Sequence, residues 1–566
     1  MKGFQKLTAM LLSLLLLVSA VTGCGGGNGS GNANGSDSSS GSGPSSSIGS
    51  GNREGEVNQN AYDTQQDTSG TRTMTFGIQN YGGGGIDPAK EINCAWNVSR
   101  YGVGECLFMF DNAMNVAGKL CDTYTVNDEH TEWVFHIRDS VKFSDGCDLT
   151  AEAVKASFAR LFEAGPSGSS APQKYLEAEA EITADTASGN VTIKTTQPYV
   201  DLTQNLAYPV MVILDAEHTT DYDHAAIGTG PYAATNFREE VGYTMVANEY
   251  YWDGTVPFAS IELLYMGDAS AKAMAMQSGQ LDLTENVTNI NDLRSLQADP
   301  NFTVTIASGV RTGLAHLNMA EGKLLSNKTL RQAVMMALDD ETMCSVTVGG
   351  LYTSGFSVLP SNLDYGYKNL SDPYAYDPDA AMKLLDDAGI VDTNGDGIRE
   401  LNGQEIILHY VTYPNRCLND FAEAIHQQLE AIGIGVDLEI GDSARQWDSY
   451  QSGDFDINGS NWTTVGTGDP TEYLAAWCST SGADYCGYKN TEYDALYNEL
   501  GTTFDTDARR EIIQKMQQIL IDDAAAIVHG YYNSSMISKN ATVGGAAIHT
   551  ADYYWVTTEI YPAAGS

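Results

Sequence analysis

The residue types able to grip or transform a small molecule are few and scattered in this chain. Arg416, in Tyr413-Pro414-Asn415-Arg416-Cys417 just ahead of an expected helix start, offers a planar fork that can hold a carboxylate through two parallel hydrogen bonds. Such a loop arginine is either a ligand grip or a solvated charge. Asp392-Thr393-Asn394-Gly395-Asp396-Gly397 sets side-chain oxygens at alternate positions with glycine sixth, which is the first half of a calcium loop. Its twelfth position is Gly403, where a bidentate glutamate is required, so the segment reads as a polar turn between helix and strand. His218 and His224 stand six apart in a loop with no third ligand nearby, so no protein metal site is expected; a metal would arrive already chelated. The sequence contains no nucleophile elbow, no HExxH helix and no P-loop. The run from Gly82 to Gly85 precedes Ile86-Asp87-Pro88, not a helix that could cradle a phosphate. These patterns call for no catalytic residue and no cofactor.

The elements that must position such residues alternate between helix and strand, as in an α/β protein. Thr150 caps a helix with Val154, Phe158 and Leu161 on one face. Asp377-Pro378 starts another, with Ala381, Leu384, Leu385 and Ala388 as its apolar stripe and Gly389 at its end. Asn419 caps a third, carrying Phe421, Ile425, Leu429 and Ile432; Gly433 stops it, and Ile434, Val436, Leu438 and Ile440 then alternate as a strand. Trp133–Ile137 and Val191–Lys194 also read as strands. No internal repeat is present.

At the N-terminus, Lys2 and Lys6 precede an apolar run from Leu7 to Val18 that is too short to span a bilayer comfortably, and Val21-Thr22-Gly23-Cys24 closes it. This resembles the lipobox of bacterial lipoproteins: residues 1–23 are expected to be removed and Cys24 to carry the lipid. Residues 24–66 are almost all Gly, Ser, Asn and other polar types, unable to build a core, and read as a disordered tether spanning roughly 35 Å on average. About 500 residues remain, too many for one core, so two or more lobes are expected. The net charge of −43 repels nucleic acid and anionic membrane surfaces, and it equally suits a solvated exterior. The eight cysteines after Cys24 permit disulfides without requiring them, and Cys478 and Cys486 could close a short loop.

A series of motifs in order carries a family resemblance. They are Trp133–Gly146 with Leu149–Val154, Gly228-Thr229-Gly230-Pro231-Tyr232, Ala247–Trp252, Ser278–Leu283, Leu330–Val334 running into Ala337-Leu338-Asp339, Tyr376-Asp377-Pro378, Leu384–Gly389, and Trp462 with Asp469-Pro470. From about Thr71 to the C-terminus the chain resembles the peptide- and nickel-chelate-binding branch, family 5, of the extracellular solute-binding proteins of ABC importers. The resemblance implies an α/β, two-lobed periplasmic-binding-protein-like fold of type II, cluster C, with a hinge and an inter-lobe cleft. By it, lobe I is 71–310 plus 531–566 and lobe II is 311–530. It implies a monomeric receptor, not an enzyme, that binds a peptide or metal chelate at the extracytoplasmic face of a bacterial plasma membrane and works with ABC permease and ATPase subunits.

Trp462 matches the family tryptophan that lines the cleft; the alternative for it is a core position in lobe II. Trp96, Arg100 and Tyr101 lie in the early segment where relatives line the cleft. Dipeptide-binding relatives carry an aspartate three residues after the tryptophan, which pairs with the peptide's amino group; here that position is Val465. Either Asp469, at the end of a loop one residue longer, moves in as a substitute, or the ligand is different. Arg100–Glu105 resembles the nickel and metallophore receptors. An exported, lipid-anchored hydrolase and a surface adhesin are the alternative function classes.

Overall fold

Two long strands, Phe302–Leu317 and Ala526–Lys539, pair antiparallel and hold the molecule together. The computed structural model describes residues 55–57, 66–67, 70–79, 85–165 and 171–564. The expected signal segment, Cys24, most of the expected tether and Gly82–Gly84 lie outside the described residues.

The crossing pair stands in the middle of a 12-stranded sheet. On one side follow Ile457–Thr463, Ile407–Thr412 and Gly435–Ile440; on the other follow Leu283–Glu285, Thr73–Ile78, Ser260–Tyr265, Gly242–Ala247 and Tyr232–Arg238. Parallel pairing occurs within each side: Ile407–Thr412 with Gly435–Ile440, and Thr73–Ile78 with Ser260–Tyr265. The register of the crossing pair shifts between Ser308 and Thr312 and again between Gly313 and Leu314. Bulges bend and twist a ladder locally, so the crossing pair bends where it passes from one half to the other. The expected lobe boundaries, 310/311 and 530/531, fall inside these two strands. A smaller four-stranded sheet, built from Cys121–Val126, Glu132–Ile137, Asn190–Lys194 and Glu181–Asp185, belongs to the N-terminal half.

The tether expectation needs a correction at its far end. Where Ile457–Thr463 stops pairing, at Arg311, the crossing strand leaves one side of its backbone open, and Gly55–Val57 fills it opposite Thr305–Ala307. Gln66 likewise bridges Ala563. Backbone pairing of this kind needs no apolar side chains, so composition could not reveal it.

Three cores support the sheet. One runs mainly through residues 273–537 and gathers Leu314, Leu408, Phe421, Trp477 and Ile513. A second, around Phe108, Trp133, Phe135 and Phe158, and a third, around Phe76, Tyr101, Tyr243 and Trp555, fill the N-terminal half. Thr150 caps its helix by accepting from the Ala153 N–H at 3.1 Å, and Asp377 caps Pro378–Asp387. The third helix begins earlier than its sequence suggests: it spans Leu418–Glu430 and its N-cap is Cys417, not Asn419. Cys478 and Cys486, the pair that could close a short loop, are free thiols. Among the described residues, no helix is long and apolar enough to cross a membrane.

Candidate functional site

The turning region of the crossing strands opens on a cavity of about 880 Å³, lined from both halves of the molecule. Three arginines enter it. Arg100, at the end of the helix Ile92–Arg100, donates from Nε to the Asp552 carbonyl at 2.6 Å, and its guanidinium lies 4.5 Å from the Trp555 ring and 5.3 Å from that of Trp96. Arg416 sits 5.5 Å over the Tyr532 ring. Its backbone and that of Cys417 are both left-handed, with φ of 48° and 58°. Two non-glycine residues in that region cost on the order of 1–3 kcal/mol each, and the anchored loop enforces them: Tyr352 Oη donates to the Arg416 carbonyl at 2.8 Å.

Arg311 is the third, on the first crossing strand. It is half-buried, and its Nη1 has no hydrogen-bond partner among the described residues. Burial, followed by the neighbouring Arg416 charge, lowers its pKa to about 10, with Arg100 pushing the same way. Among the described residues, none of the three guanidiniums forms a salt bridge. Each acidic lining residue, by contrast, already has a partner. Glu285 accepts from the Gln79 N–H at 2.6 Å and lies 3.6 Å from Lys272. Asp442 caps a helix through the Arg445 N–H at 2.8 Å, and Glu472 lies 3.9 Å from Lys174. Asp552 accepts from Ser534 Oγ at 3.1 Å, and burial raises its pKa against the pull of Arg100 and Arg311. The cavity thus sets three guanidiniums without salt bridges among carboxylates, of which Asp552 is the one whose charge acts on both Arg100 and Arg311. Tyr175, Tyr208, Tyr413 and Tyr553 add flat amphipathic walls, and no histidine lines it among the described residues.

Arg100, Arg416, Trp96 and Asp469 all reach this cavity. Trp96 is half-buried and donates from Nε1 to Tyr208 Oη at 3.3 Å. Asp469 does not stand free for a ligand ammonium: it pairs with Arg509 at 2.6 Å and accepts from the Thr471 N–H at 2.8 Å. Val465 is fully buried in the second core. Trp462 borders a second cavity of about 410 Å³, which shares Lys174, Tyr175, Thr467, Asp469 and Glu472 with the first. It is only 4% exposed and packs 4.8 Å from His316, 5.7 Å from Tyr450 and 5.9 Å from Tyr473, the core position weighed as its alternative.

Tyr101 is a correction. It is wholly buried, 6.0 Å from the Tyr243 ring, and lines neither cavity. One residue on from Arg100 is about 100° of helical rotation, which carries its ring into the third core. The Asp392–Gly397 turn spends its side-chain oxygens on its own backbone: Asp392 accepts from the Gly395 and Gly397 N–H groups, and Asp396 from that of Ile398. Sequence reasoning missed Arg311. The available signal was an arginine flanked on both sides by small and apolar residues, Ser308-Gly309-Val310 before it and Thr312-Gly313-Leu314 after it.

A family model described as bacterial extracellular solute-binding proteins, family 5 Middle, matches residues 115–485. The chain is 25% identical over 480 residues to the probable D,D-dipeptide-binding periplasmic protein DdpA of Escherichia coli, covering 81% of this chain and 88% of that protein. It is 24% identical over 449 residues to the nickel-binding protein NikA of Staphylococcus aureus, covering 78% and 86%. Among solved structures, NikA from Brucella suis in complex with Fe(III)-EDTA superposes with a TM-score of 0.76 at 22% identity, covering 87% of this chain and 99% of that one.

Proposed function

Because the chain belongs to the bacterial extracellular solute-binding proteins of family 5, whose members are transport receptors and not enzymes, we propose that it captures a small solute by its carboxylates in the cavity between its halves. The favoured solute is a metal chelate carrying several carboxylates; a peptide with a free C-terminus is second. The observation that supports this is the trio Arg100, Arg311 and Arg416, with Arg311 Nη1 unpartnered among the described residues. Guanidinium forks match carboxylates bidentately and gain strength in a dry site.

A peptide brings an ammonium as well as a carboxylate. The position that serves this group in dipeptide-binding relatives is the buried Val465, and Asp469 is occupied by Arg509. A polycarboxylate chelate brings only anions, which suits three guanidiniums that form no salt bridge among the described residues. Relatives whose names state nickel or peptide binding support both branches.

Contacts to both halves would stabilise a closed arrangement over an open one, with the bulged crossing strands as the turning region. In this reading Cys24 anchors the chain at the extracytoplasmic face of the plasma membrane, and the loaded receptor delivers its solute to an ABC permease and ATPase.

Calorimetry with nickel–histidine, nickel–citrate and ferric–EDTA chelates, beside tripeptides with free and amidated C-termini, tests the proposal. Small-angle scattering on the same mixtures reads closure. Micromolar binding with compaction by carboxylate-bearing solutes is expected. Equal binding of free and amidated peptides, with no chelate bound, would overturn the anion grip.

A further inference from the structure

On the surface of the N-terminal half, away from both cavities, four side chains of mixed ligand type converge. We infer that Asp145, Cys147, Asp215 and His218 form a binding site for a transition-metal dication of the zinc type, which clips two loops together. One donor atom from each residue lies within 4.8 Å of the other three. Around a tetrahedral zinc, with bonds of about 2.0–2.3 Å, ligand atoms stand roughly 3.3–3.8 Å apart, so small side-chain rotations close the set.

The backbone holds these residues in place. Between Glu132–Ile137 and the helix Ala151–Ala164, the Phe143 N–H donates to the Cys147 carbonyl at 2.8 Å and the Gly146 N–H to the Phe143 carbonyl at 2.9 Å. This tight turn presents Asp145 and Cys147 together, with Gly146 at φ 91°. The other pair comes from residues 215–218. Gly228 joins the two segments: its carbonyl accepts from the Ser144 N–H at 2.9 Å, and it bridges Leu214. A Cβ on Gly228 would lie 2.2 Å from the Val103 carbonyl oxygen, so only glycine lets this joining segment pack against residues 103–104.

Asp215 is 4% exposed and accepts from the Glu217 and His218 N–H groups at 2.8 and 3.0 Å. Its other oxygen is 2.8 Å from His218 Nδ1, which is also 3.8 Å from Asp145 Oδ2. The imidazole nitrogen thus points into the carboxylate pair, beside the Cys147 thiol. Carboxylates alone would suit calcium or magnesium, whereas a thiolate and an imidazole select zinc, cobalt or nickel. Sequence spacing hid the site, because Asp145 and Cys147 lie some seventy residues from Asp215 and His218.

The test titrates the full chain, purified free of metal, with cobalt(II) alone. One equivalent should produce a near-ultraviolet thiolate-to-cobalt charge-transfer band and the intense visible absorption of tetrahedral cobalt, both displaced by zinc. Cys147→Ser should abolish the charge-transfer band, and exposed His218→Ala should weaken cobalt binding at least roughly tenfold. Cys24→Ser and Cys417→Ser should keep the band, and Arg311→Ala should keep it too, which separates this site from the solute cavity. Zinc should raise the melting temperature of the parent by more than that of His218→Ala at the same concentration. Absence of the band, its persistence in Cys147→Ser, or undiminished binding in His218→Ala would overturn the site.

Discussion

At the scale of single residues, Arg311 and Trp462 exchange the weights their sequence contexts suggest. Arg311 lies within a strand, where no loop cue marks it, yet it brings an unpartnered guanidinium nitrogen to the cavity. Arg311→Met keeps the aliphatic stem and removes the charge. A charge-assisted hydrogen bond is worth about 1.5–3 kcal/mol, so chelate affinity by calorimetry should fall roughly 10- to 150-fold. The melting temperature of the free protein should not fall, because the substitution also relieves repulsion from Arg416 and Arg100. Trp462, by contrast, is held among aromatic rings at 4% exposure. Trp462→Ala should cost about 3–5 kcal/mol in urea denaturation, the range for truncating a large buried side chain. A loss under 1 kcal/mol would contradict the packing. The residues legible from sequence had two kinds of cue: Trp96 and Arg100 lie in an early segment covered by the family resemblance, and Arg416 precedes a helix start. Contact with the cavity was legible; partnership, as for Asp469 with Arg509, was not, because the two lie 40 residues apart.

At the scale of elements, local chemistry was the readable part. Thr150 and Asp377 announce their helices through their own side chains, and Trp133, Phe135 and Ile137 alternate visibly on Glu132–Ile137. The crossing pair could not be read this way, because Phe302 opposes Lys539 and the register depends on contacts more than two hundred residues apart. Each crossing strand also buries a histidine, His316 on the first and His529 on the second, both fully inaccessible. Burial lowers each pKa to about 3, below the ordinary 6.5. The unfolded chain therefore takes up these protons first on acidification. The stability they support is present above about pH 6.5 and is lost as pH falls toward 3, at roughly 1.4 kcal/mol per unit for each ring. His316→Phe removes one titrating ring together with two nitrogens that lack partners. The slope of stability between pH 6 and 4, from urea midpoints, should drop by about 1.4 kcal/mol per unit relative to the parent. An unchanged slope would mean that His316 is protonated in the folded state.

At the scale of the whole molecule, the family motifs pointed to two halves and a cleft because they are spread over most of the body. The sheet shared by both halves, and the strand Gly55–Val57 seated on it, rest on backbone pairing that motifs do not encode. Net charge was equally legible, and its consequence depends on where the arginines sit. An anion approaching a body of charge −43 meets repulsion until it reaches Arg100, Arg311 and Arg416. Screening shortens that outer field to about 8 Å at physiological ionic strength, while the enclosed contacts are screened much less. Stopped-flow association of an anionic chelate should therefore speed up as salt rises from 10 to 150 mM, the reverse of ordinary electrostatic steering, while dissociation changes less. Association that slows with salt would show that attraction reaches beyond the cavity mouth. The arginine trio thus acts as a kinetic filter: its host slows every anion on the way in, and only those able to engage all three cations stay long enough to be carried.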